Sequence, residues 1–432
     1  MAAMAGSYVR QGYGQPPKVK NPRATDGDEQ YEPQWDERLT ITVGPKNADL
    51  VGHDEKVIQA AVDYMARRGG GTIKLLPGIY TLRNAVFLSS QIRLQGSGPE
   101  TIITKINSEK VSLSNDSDWY DQEITLEDAA SFRVGDGIVL RGKDAVIKRT
   151  LIARSGNRFK LDDGLRENLW LSAKPDCSSL FPLLTSEYTH DVVIEDLVLD
   201  GNAQNNENLD GNYAGCIFLQ DCNRFTIHRV EARNYNGDGI SFQICHDVSV
   251  ENCHCHDNTQ LGLHPGSGSQ RPVIRNNQLT RNNIGLFWCW GVKNGFATGN
   301  RILANRDVGM SIGHNDTDNV IQNNTIADSG RIGILFRDDS RGNEFWANRN
   351  RLENNRIENS GNKDGIAIDI QGRTRDLVIL GNQLHETRQP MNRTGIHIAT
   401  QAGQITLQEN TVKGFAHAIR DERTNQKGTS TS

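Results

Sequence analysis

The sequence predicts an all-β protein that folds as a right-handed parallel β-helix of about 23–24 residues per coil, with a capping helix at its N-terminal end. Three observations lead to this prediction. A small residue followed by an aliphatic one recurs at nearly constant spacing, asparagines recur in step with it, and each coil holds short segments that alternate polar and apolar residues. Apolar residues make up only 36% of the chain, which suits a thin core wrapped by many turns.

The step from a small to an aliphatic residue defines the coils. Its first five intervals are 23, 23, 23, 24 and 24 residues, and the last two lengthen to 32 and 30. A coil of this length cannot bury its own apolar face, so successive coils must stack at the ~4.8 Å spacing of neighbouring strands. The steps are Cys216-Ile217, Gly239-Ile240, Gly262-Leu263, Gly285-Leu286, Gly309-Met310, Gly333-Ile334, Gly365-Ile366 and Gly395-Ile396.

Asparagine recurs in two columns that follow the same period. Asparagine tolerates the positive φ angles of tight turns, and its amide can hydrogen-bond to the equivalent residue of the next coil. The first column is Asn252, Asn276, Asn300, Asn324, Asn355, Asn382 and Asn410, and the second is Asn234, Asn258, Asn282 and Asn305.

The N-terminal part predicts one amphipathic helix within residues 52–82. Its apolar positions are spaced as on one helix face, and Gly69–Gly71 ends it, so the helix can cap the open end of the apolar core. The apolar positions are Val57, Ile58, Ala61, Val62 and Met65.

This region resembles the N-terminal pattern of the pectate-lyase-like superfamily of β-helices. The pattern is carried by Asp54, Gln59-Ala60-Ala61, Gly70-Gly71, the strand "TIKLL" and Pro77-Gly78-Ile79-Tyr80. The resemblance implies a carbohydrate-active β-helix similar to polygalacturonases and polysaccharide lyases. The superfamily contains hydrolases, lyases, epimerases and adhesins, so the fold alone does not decide the activity.

The places where the repeat pattern starts, breaks and ends predict five segments. Residues 1–40 form a flexible arm, 41–110 the capping helix and first coils, and 111–185 an irregular β insertion with antiparallel strands. Residues 186–420 form the main β-helix, and 421–432 form a disordered tail.

One face of the coils is predicted to carry the functional side chains. Counting from the small residue as zero, positions +1, +3 and +5 point inward, while +2, +4 and +6 point outward. Arg337 and Asp369 are both predicted at +4 on neighbouring coils, about 5 Å apart, with Asp339 beside them. His314 and Asp338 fall at strand ends, where either can turn outward.

The leading functional hypothesis is a glycoside hydrolase that acts on an oligosaccharide or polysaccharide with paired aspartates. One carboxylic acid would protonate the leaving oxygen and a second carboxylate would attack or activate water. The predicted catalytic residues are Asp338, Asp339, Asp369, His264, His314 and Arg337. Predicted substrate-binding residues on the same face or in long loops are Gln243, Phe287, Asn315, Trp346, Gln371, His397 and Tyr213.

Two alternatives stay open. In a polysaccharide lyase or uronate epimerase, His264 or His314 would remove the proton next to a carboxylate, and Arg337 would neutralise the developing charge. Calcium held by Asp338, Asp339 and Asp369 is another neutraliser, although no cofactor is required. The third hypothesis is a carbohydrate-binding β-helix without catalysis.

Composition argues against several other classes. A net charge of −5 with scattered basic residues argues against nucleic-acid binding, and no apolar run is long enough to cross a bilayer. The run "CHDVSVENCHCHDN" (245–258) places its histidines and cysteines on opposite strand faces, so no metal site is predicted there.

The N-terminus has no apolar core of the signal-peptide type, which leaves a cytoplasmic protein or one secreted after processing. The resemblance also leaves a homotrimer open.

Overall fold

A computed structural model of the protein describes residues 34–423 except 144, 341 and 343. The chain forms a right-handed parallel β-helix built from stacked coils, so the predicted fold class is confirmed. The predicted arm (1–40) and tail (421–432) fall largely outside the described residues. Short 3-10 turns interrupt the strands at Trp35–Glu37, Gly98–Glu100, Leu171–Ala173 and Ala203–Asn205.

Most strands of the coils belong to one parallel sheet of 22 strands that wraps around two sides of the helix. The strands are short because each coil turns after a few residues. They are Thr40–Gly44, Leu50–Val51, Gly71–Leu75, Gly78–Leu82, Ile92–Gln95, Thr101–Lys105, His190–Asp200, Asn223–Arg233, Ser249–Glu251, His254–His256, Val273–Arg275, Gln278–Thr280, Phe296–Thr298, Arg301–Leu303, Val320–Gln322, Thr325–Ala327, Arg351–Glu353, Arg356–Glu358, Leu377–Leu380, Gln383–His385, Ile405–Gln408 and Thr411–Lys413.

The remaining coil strands form an eleven-stranded parallel sheet, whose outward face carries most of the predicted site residues. Its strands are Val86–Phe87, Leu184–Glu187, Ile217–Gln220, Ile240–Gln243, Leu261–Pro265, Ile284–Phe287, Val308–Ile312, Ile332–Phe336, Ile366–Ile370, Thr394–Ile398 and His417–Asp421.

The register of the eleven-stranded sheet corrects one predicted coil boundary. Ile334 pairs with Ile368 rather than with Ile366, so the small residue of that coil is Ala367 and not Gly365. Asp369 therefore lies at position +2 beside Leu335, and the predicted pairing of Arg337 with Asp369 is wrong.

The capping helix, Glu55–Ala66, begins and ends close to where the sequence predicts. Asp54 caps its first turn by accepting a hydrogen bond from the backbone N–H of Val57 at 3.3 Å. The buried face, Ile58, Ala61, Val62 and Met65, packs onto the end of the continuous apolar core.

Residues 111–185 contribute an antiparallel sheet with its own small core around Phe132 and Phe159. An ion pair between Arg83 and Asp136, with both contacts at 2.7 Å, attaches this insertion sheet to the first coils. Its strands are Lys110–Ser112, Glu123–Thr125, Gly137–Arg141, Val146–Ser155, Arg158–Leu161 and Asp176–Ser178.

Asparagine ladders run through the interior, as predicted, with corrections at three residues. Side-chain amides bond from coil to coil at 2.8–3.0 Å through Asn277, Asn300, Asn324, Asn355, Asn382 and Asn410. Asn276 and Asn252 precede the ladder positions and instead adopt positive φ in the turns. The second ladder joins Asn258, Asn282 and Asn305, whereas Asn234 lies in a turn.

We expect Asn324→Ala to lower the free energy of unfolding by about 2–4 kcal/mol. The buried Asn324 accepts two hydrogen bonds from Asn300 and donates to Asn355 and to two backbone carbonyls, so its loss leaves several buried groups unpaired. Urea titration would measure the change. Asn392→Ala, on an exposed loop, is the control and should change stability by less than ~0.5 kcal/mol. An equal effect of the two variants would contradict a stabilising ladder.

No helix in the part of the chain that the structure describes has the length and apolar character needed to span a membrane.

Candidate functional site

The site is built on one column of outward side chains in the eleven-stranded sheet. Strand register places Phe218, Ser241 and His264 next to one another on successive coils. Phe287 follows on the next coil, and Ser311 pairs with it on the coil after that. Parallel strands at ~4.8 Å spacing thus present one side chain per coil, directly above its predecessor.

His264 and Asp238 form a buried acid–base pair. The Nδ1 atom of His264 lies 2.8 Å from Oδ2 of Asp238, and both side chains are almost fully buried. Burial raises the pKa of the Asp238 carboxyl, while the neighbouring imidazole and the backbone N–H of Leu261 act in the opposite direction. A carboxylate that accepts from Nδ1–H fixes the imidazole in the tautomer whose Nε2 carries the lone pair.

The Nε2 atom of His264 is the notable feature of this pair. It is buried and has no hydrogen-bond partner among the described residues. A buried polar atom without a partner is costly, and such atoms are expected to meet a water molecule or a ligand. His264 is therefore oriented as a base at Nε2 with its other nitrogen already engaged.

His264 lines a cleft of about 330 Å³, called here the histidine cleft. The loop at residues 208–214 forms one wall of this cleft, and the backbone carbonyl of Gly211 accepts a 2.6 Å hydrogen bond from Ser241. Its lining combines amides and carboxylates with the apolar side chains of Leu261 and Phe287. The lining residues are Asp210, Gly211, Asn212, Asp238, Gln260, Leu261, His264, Asn283, Phe287 and Cys289.

Phe287 separates His264 from Arg337. The imidazole of His264 meets the Phe287 ring edge-on at 5.3 Å between centres, and the guanidinium of Arg337 lies over the same ring at 4.3 Å. Arg337 reaches this ring from two coils further along the helix. Gly313 lies beneath the guanidinium, and a Cβ atom at this position would collide with it.

Four polar groups hold the guanidinium of Arg337 in place. It donates to Oγ of Ser311 at 2.7 Å and to the carbonyl of Trp288 at 3.0 Å. The carboxylates of Asp316 and Asp339 each lie 3.8 Å away. Asp339, predicted as catalytic, is thus a neighbour of Arg337.

Asp316 is a buried support for this arrangement. Its carboxylate accepts from the backbone N–H groups of Gly291, Val292 and Gly313 at 2.8–3.0 Å. Burial raises the pKa of Asp316 to about 6, against the lowering effect of the Arg337 charge. Arg337 therefore lies beside a carboxyl group that titrates close to neutral pH.

The predicted residues Asp369, Gln371 and His397 form a separate cluster further along the sheet. Asp369 is buried, with one oxygen 2.7 Å from Nδ1 of His397 and the other accepting from the Gln371 amide at 2.8 Å. Nε2 of His397 lies 3.5 Å from Glu422. Both oxygens of Asp369 are thus engaged within the protein, away from Arg337.

The other predicted residues lie around these clusters. His314 packs between Trp290 and Phe345, with ring centres 4.8 and 5.6 Å away. Asn315 occupies the adjoining turn with positive φ, and Asp338 and Trp346 both lie against Gly372. Gln243 is buried and donates to Ser241, while Tyr213 is partly exposed at the end of the 208–214 loop.

Sequence reasoning missed Asp238 and Asp316 and assigned no role to Ser311. The repeat could have identified Asp238, because this aspartate occupies the position where later coils carry the aliphatic residues Leu261 and Ile284. A charged residue in an aliphatic column indicates a functional or structural role. Asp316 lies in a turn, where the repeat carries no such signal.

The described residues contain no group of three or more histidine, cysteine, aspartate or glutamate side chains arranged to hold a metal ion. Asp338, Asp339 and Asp369 therefore do not form the predicted calcium cluster in this arrangement. Calcium dependence of ligand binding stays a prediction.

Comparison with known proteins agrees with the fold. Residues 215–351 match the family described as "Right handed beta helix region". A search of curated proteins finds no match. Among solved structures, the A-module of mannuronan C-5 epimerase AlgE6 from Azotobacter vinelandii is 17% identical with a TM-score of 0.57, and the alignment covers 89% of this chain and 95% of that one.

Two further structures share the fold. An alginate lyase from Paenibacillus sp. str. FPU-7 has 12% identity and a TM-score of 0.50, covering 89% of this chain and 99% of that one. PfbA, a surface adhesin of Streptococcus pneumoniae, has 12% identity and a TM-score of 0.52, with coverages of 90% and 91%. The chain folds as a right-handed parallel β-helix, and the fold that the resemblance in the sequence implied is confirmed.

Proposed function

We propose that the protein acts on an acidic polysaccharide by removing the C5 proton of a uronic acid unit, which leads to β-elimination or to epimerisation. One observation carries this proposal. His264 presents a base at Nε2 while Asp238 holds its Nδ1, and the Arg337 cation lies on the same aromatic ring.

The chemistry follows from these groups. Nε2 of His264 takes the C5 proton, and the electron pair of the broken C–H bond moves into the uronate carboxylate, which becomes an enolate dianion. Arg337 stabilises the added negative charge, and Asp238 stabilises the imidazolium that forms. In elimination, the electron pair then forms the C4–C5 double bond while the bond from C4 to the glycosidic oxygen breaks, and that oxygen takes a proton from the imidazolium or from water. In epimerisation, a water molecule protonates C5 from the opposite face, and the imidazolium returns its proton to solvent.

The paired-aspartate hydrolase is the weaker candidate on this geometry. Asp369 is engaged with His397 and Gln371, and its register places it beside Leu335 instead of Arg337. Asp339 lies 3.8 Å from the Arg337 guanidinium and is not paired with Asp369. The names of the epimerase and lyase structures agree with proton abstraction from a uronate, but identities of 12–17% carry the fold only.

Incubation with polyuronates in D2O would test the proposal. Epimerisation should place solvent deuterium at C5 of the polymer, which NMR would detect. Elimination leaves C5 without a hydrogen, so it should instead produce the ultraviolet absorbance of a 4,5-unsaturated uronate. A chelator arm would show whether calcium is needed. New reducing ends without deuterium at C5 and without that absorbance would mean hydrolysis and would overturn the proposal.

A further inference from the structure

A second cleft lies on the same face of the eleven-stranded sheet. The column that contains His264 extends towards the N-terminus through Phe218, Thr185 and Phe87, each in register with the next. The insertion sheet covers these first strands and encloses a space of about 540 Å³, called here the insertion cleft. The two clefts therefore share one sheet face, with the 208–214 loop between them.

Lys148 supplies the insertion cleft with a cation. Its ammonium group lies over the Phe218 ring at 4.1 Å and donates to the backbone carbonyl of Tyr213 at 2.9 Å. An ammonium has three donors, so two remain for a ligand in the cleft. A cation stacked on an aromatic ring is also the arrangement that Arg337 and Phe287 adopt beside His264.

Several charged groups surround Lys148. The negative charge of Glu187 raises the pKa of Lys148 and partly offsets the effect of burial. Asp162, Asp163 and Glu167 also line the cleft. Asp162 accepts from the backbone N–H of Thr150, and Arg166 lies 3.9 Å from Asp163. The guanidinium of the neighbouring Arg149 is engaged by the backbone carbonyls of residues 163–165. Lys148 is thus the basic group of this lining that is best placed to take a ligand anion.

We propose that the insertion cleft is a second subsite for the same glycan, in which Lys148 binds the carboxylate of a uronate unit distant from the one at His264. The inference rests on the proposed function. Two strand spacings, about 10 Å, separate Phe218 from His264, and four, about 19 Å, separate Phe87 from His264. The glycan passes over the 208–214 loop, where Tyr213 is 36% exposed and presents a ring for sugar stacking. The ligand is therefore an acidic oligosaccharide of several units.

The pH dependence of binding follows from the burial of Lys148. Burial lowers the pKa of Lys148 to about 8, and a bound carboxylate favours the charged form, so the pKa in the complex is higher than in the free protein. Binding is accordingly strongest below pH 8 and weakens as the pH rises above it. In Lys148→Arg the cation persists at high pH, so this dependence should disappear.

Calorimetric binding of uronate oligomers, from the dimer to the octamer, tests the inference. The His264→Asn background prevents turnover during the titration. With Lys148 present, affinity should continue to rise as the oligomer becomes long enough to reach the insertion cleft. Lys148→Met should lower the affinity for long oligomers by about tenfold or more and leave the shortest ones unchanged.

Matched variants keep the result interpretable. Lys160→Met removes an exposed lysine from the same insertion sheet and should have no effect. Glu187→Gln changes an exposed acid of the cleft and should raise the affinity for long oligomers at pH 6, where Lys148 stays charged without Glu187; this provides a test if Lys148→Met fails to fold. The second subsite alone is overturned by two results together. Lys148→Met would bind oligomers of every length as tightly as the protein with Lys148, and Glu187→Gln would leave the affinity unchanged. Absence of binding to every uronate oligomer, together with binding of neutral ones, would overturn the proposed function as well.

Discussion

Replacing His264 with alanine is expected to lower kcat/KM on a polyuronate by about 10³-fold, the range typical for loss of a general base. The reason is the arrangement of its two nitrogens, of which Nδ1 is held by Asp238 and Nε2 has no partner among the described residues. Initial rates would measure the loss, followed by C5 deuterium incorporation for epimerisation or by the absorbance of the unsaturated uronate for elimination. Thermal unfolding of the same preparations would show whether the variant is folded.

His190→Ala is the matched control for this prediction. His190 also has its Nδ1 atom 2.8 Å from an aspartate, Asp191, but it is exposed and lies on the 22-stranded sheet. Its replacement should leave the rate within about twofold of the wild type. If the His264→Ala variant retains more than about a tenth of the proposed activity, His264 is not the base.

The fold could be predicted from the repeat because every coil must meet the same packing and hydrogen-bonding requirements. The residues that meet them therefore recur at the spacing of the coils. Each coil needs a small residue where its neighbour's backbone passes closely, and Gly239, Gly262 and Gly285 all lie against a backbone carbonyl of the next coil. Buried asparagines satisfy one another from coil to coil, so their spacing is visible in the sequence. Regular structure of this kind is therefore visible as residues that recur at a constant spacing in the sequence.

The candidate site was only partly predictable, because its parts depend on breaks in the period. The coil after Phe336 is lengthened, and two small residues, Gly365 and Ala367, are each followed by isoleucine. Only strand pairing shows that Ala367 is the equivalent position, and this difference of two residues moves Asp369 away from Arg337. His264, Phe287 and Arg337 were all predicted on the outward face, since their coils keep the regular spacing.

Arg337→Met is expected to lower kcat by roughly 10²-fold or more, with a smaller change in KM. In the proposed reaction, the charge next to Arg337 develops only as the C5 proton leaves, so the loss should appear mainly in the transition state. Arg337→Lys keeps the cation but cannot span Ser311 and Trp288 in the same way, and should recover part of the rate. Steady-state kinetics on polyuronate would separate kcat from KM for both variants.

A structural role for Arg337 has to be separated from this chemical one. Removing the guanidinium leaves Asp316 buried without its neighbouring cation, so its pKa should rise further and Arg337→Met should be less stable above pH 6 than below it. Ser311→Ala removes one contact of the guanidinium without changing the charge, and should cost far less activity. Arg349→Met, which breaks an exposed ion pair with Asp318, controls for the loss of an arginine. If folded Arg337→Met retains its kcat at a pH where Asp316 is protonated, Arg337 supports the fold and another group must neutralise the enolate.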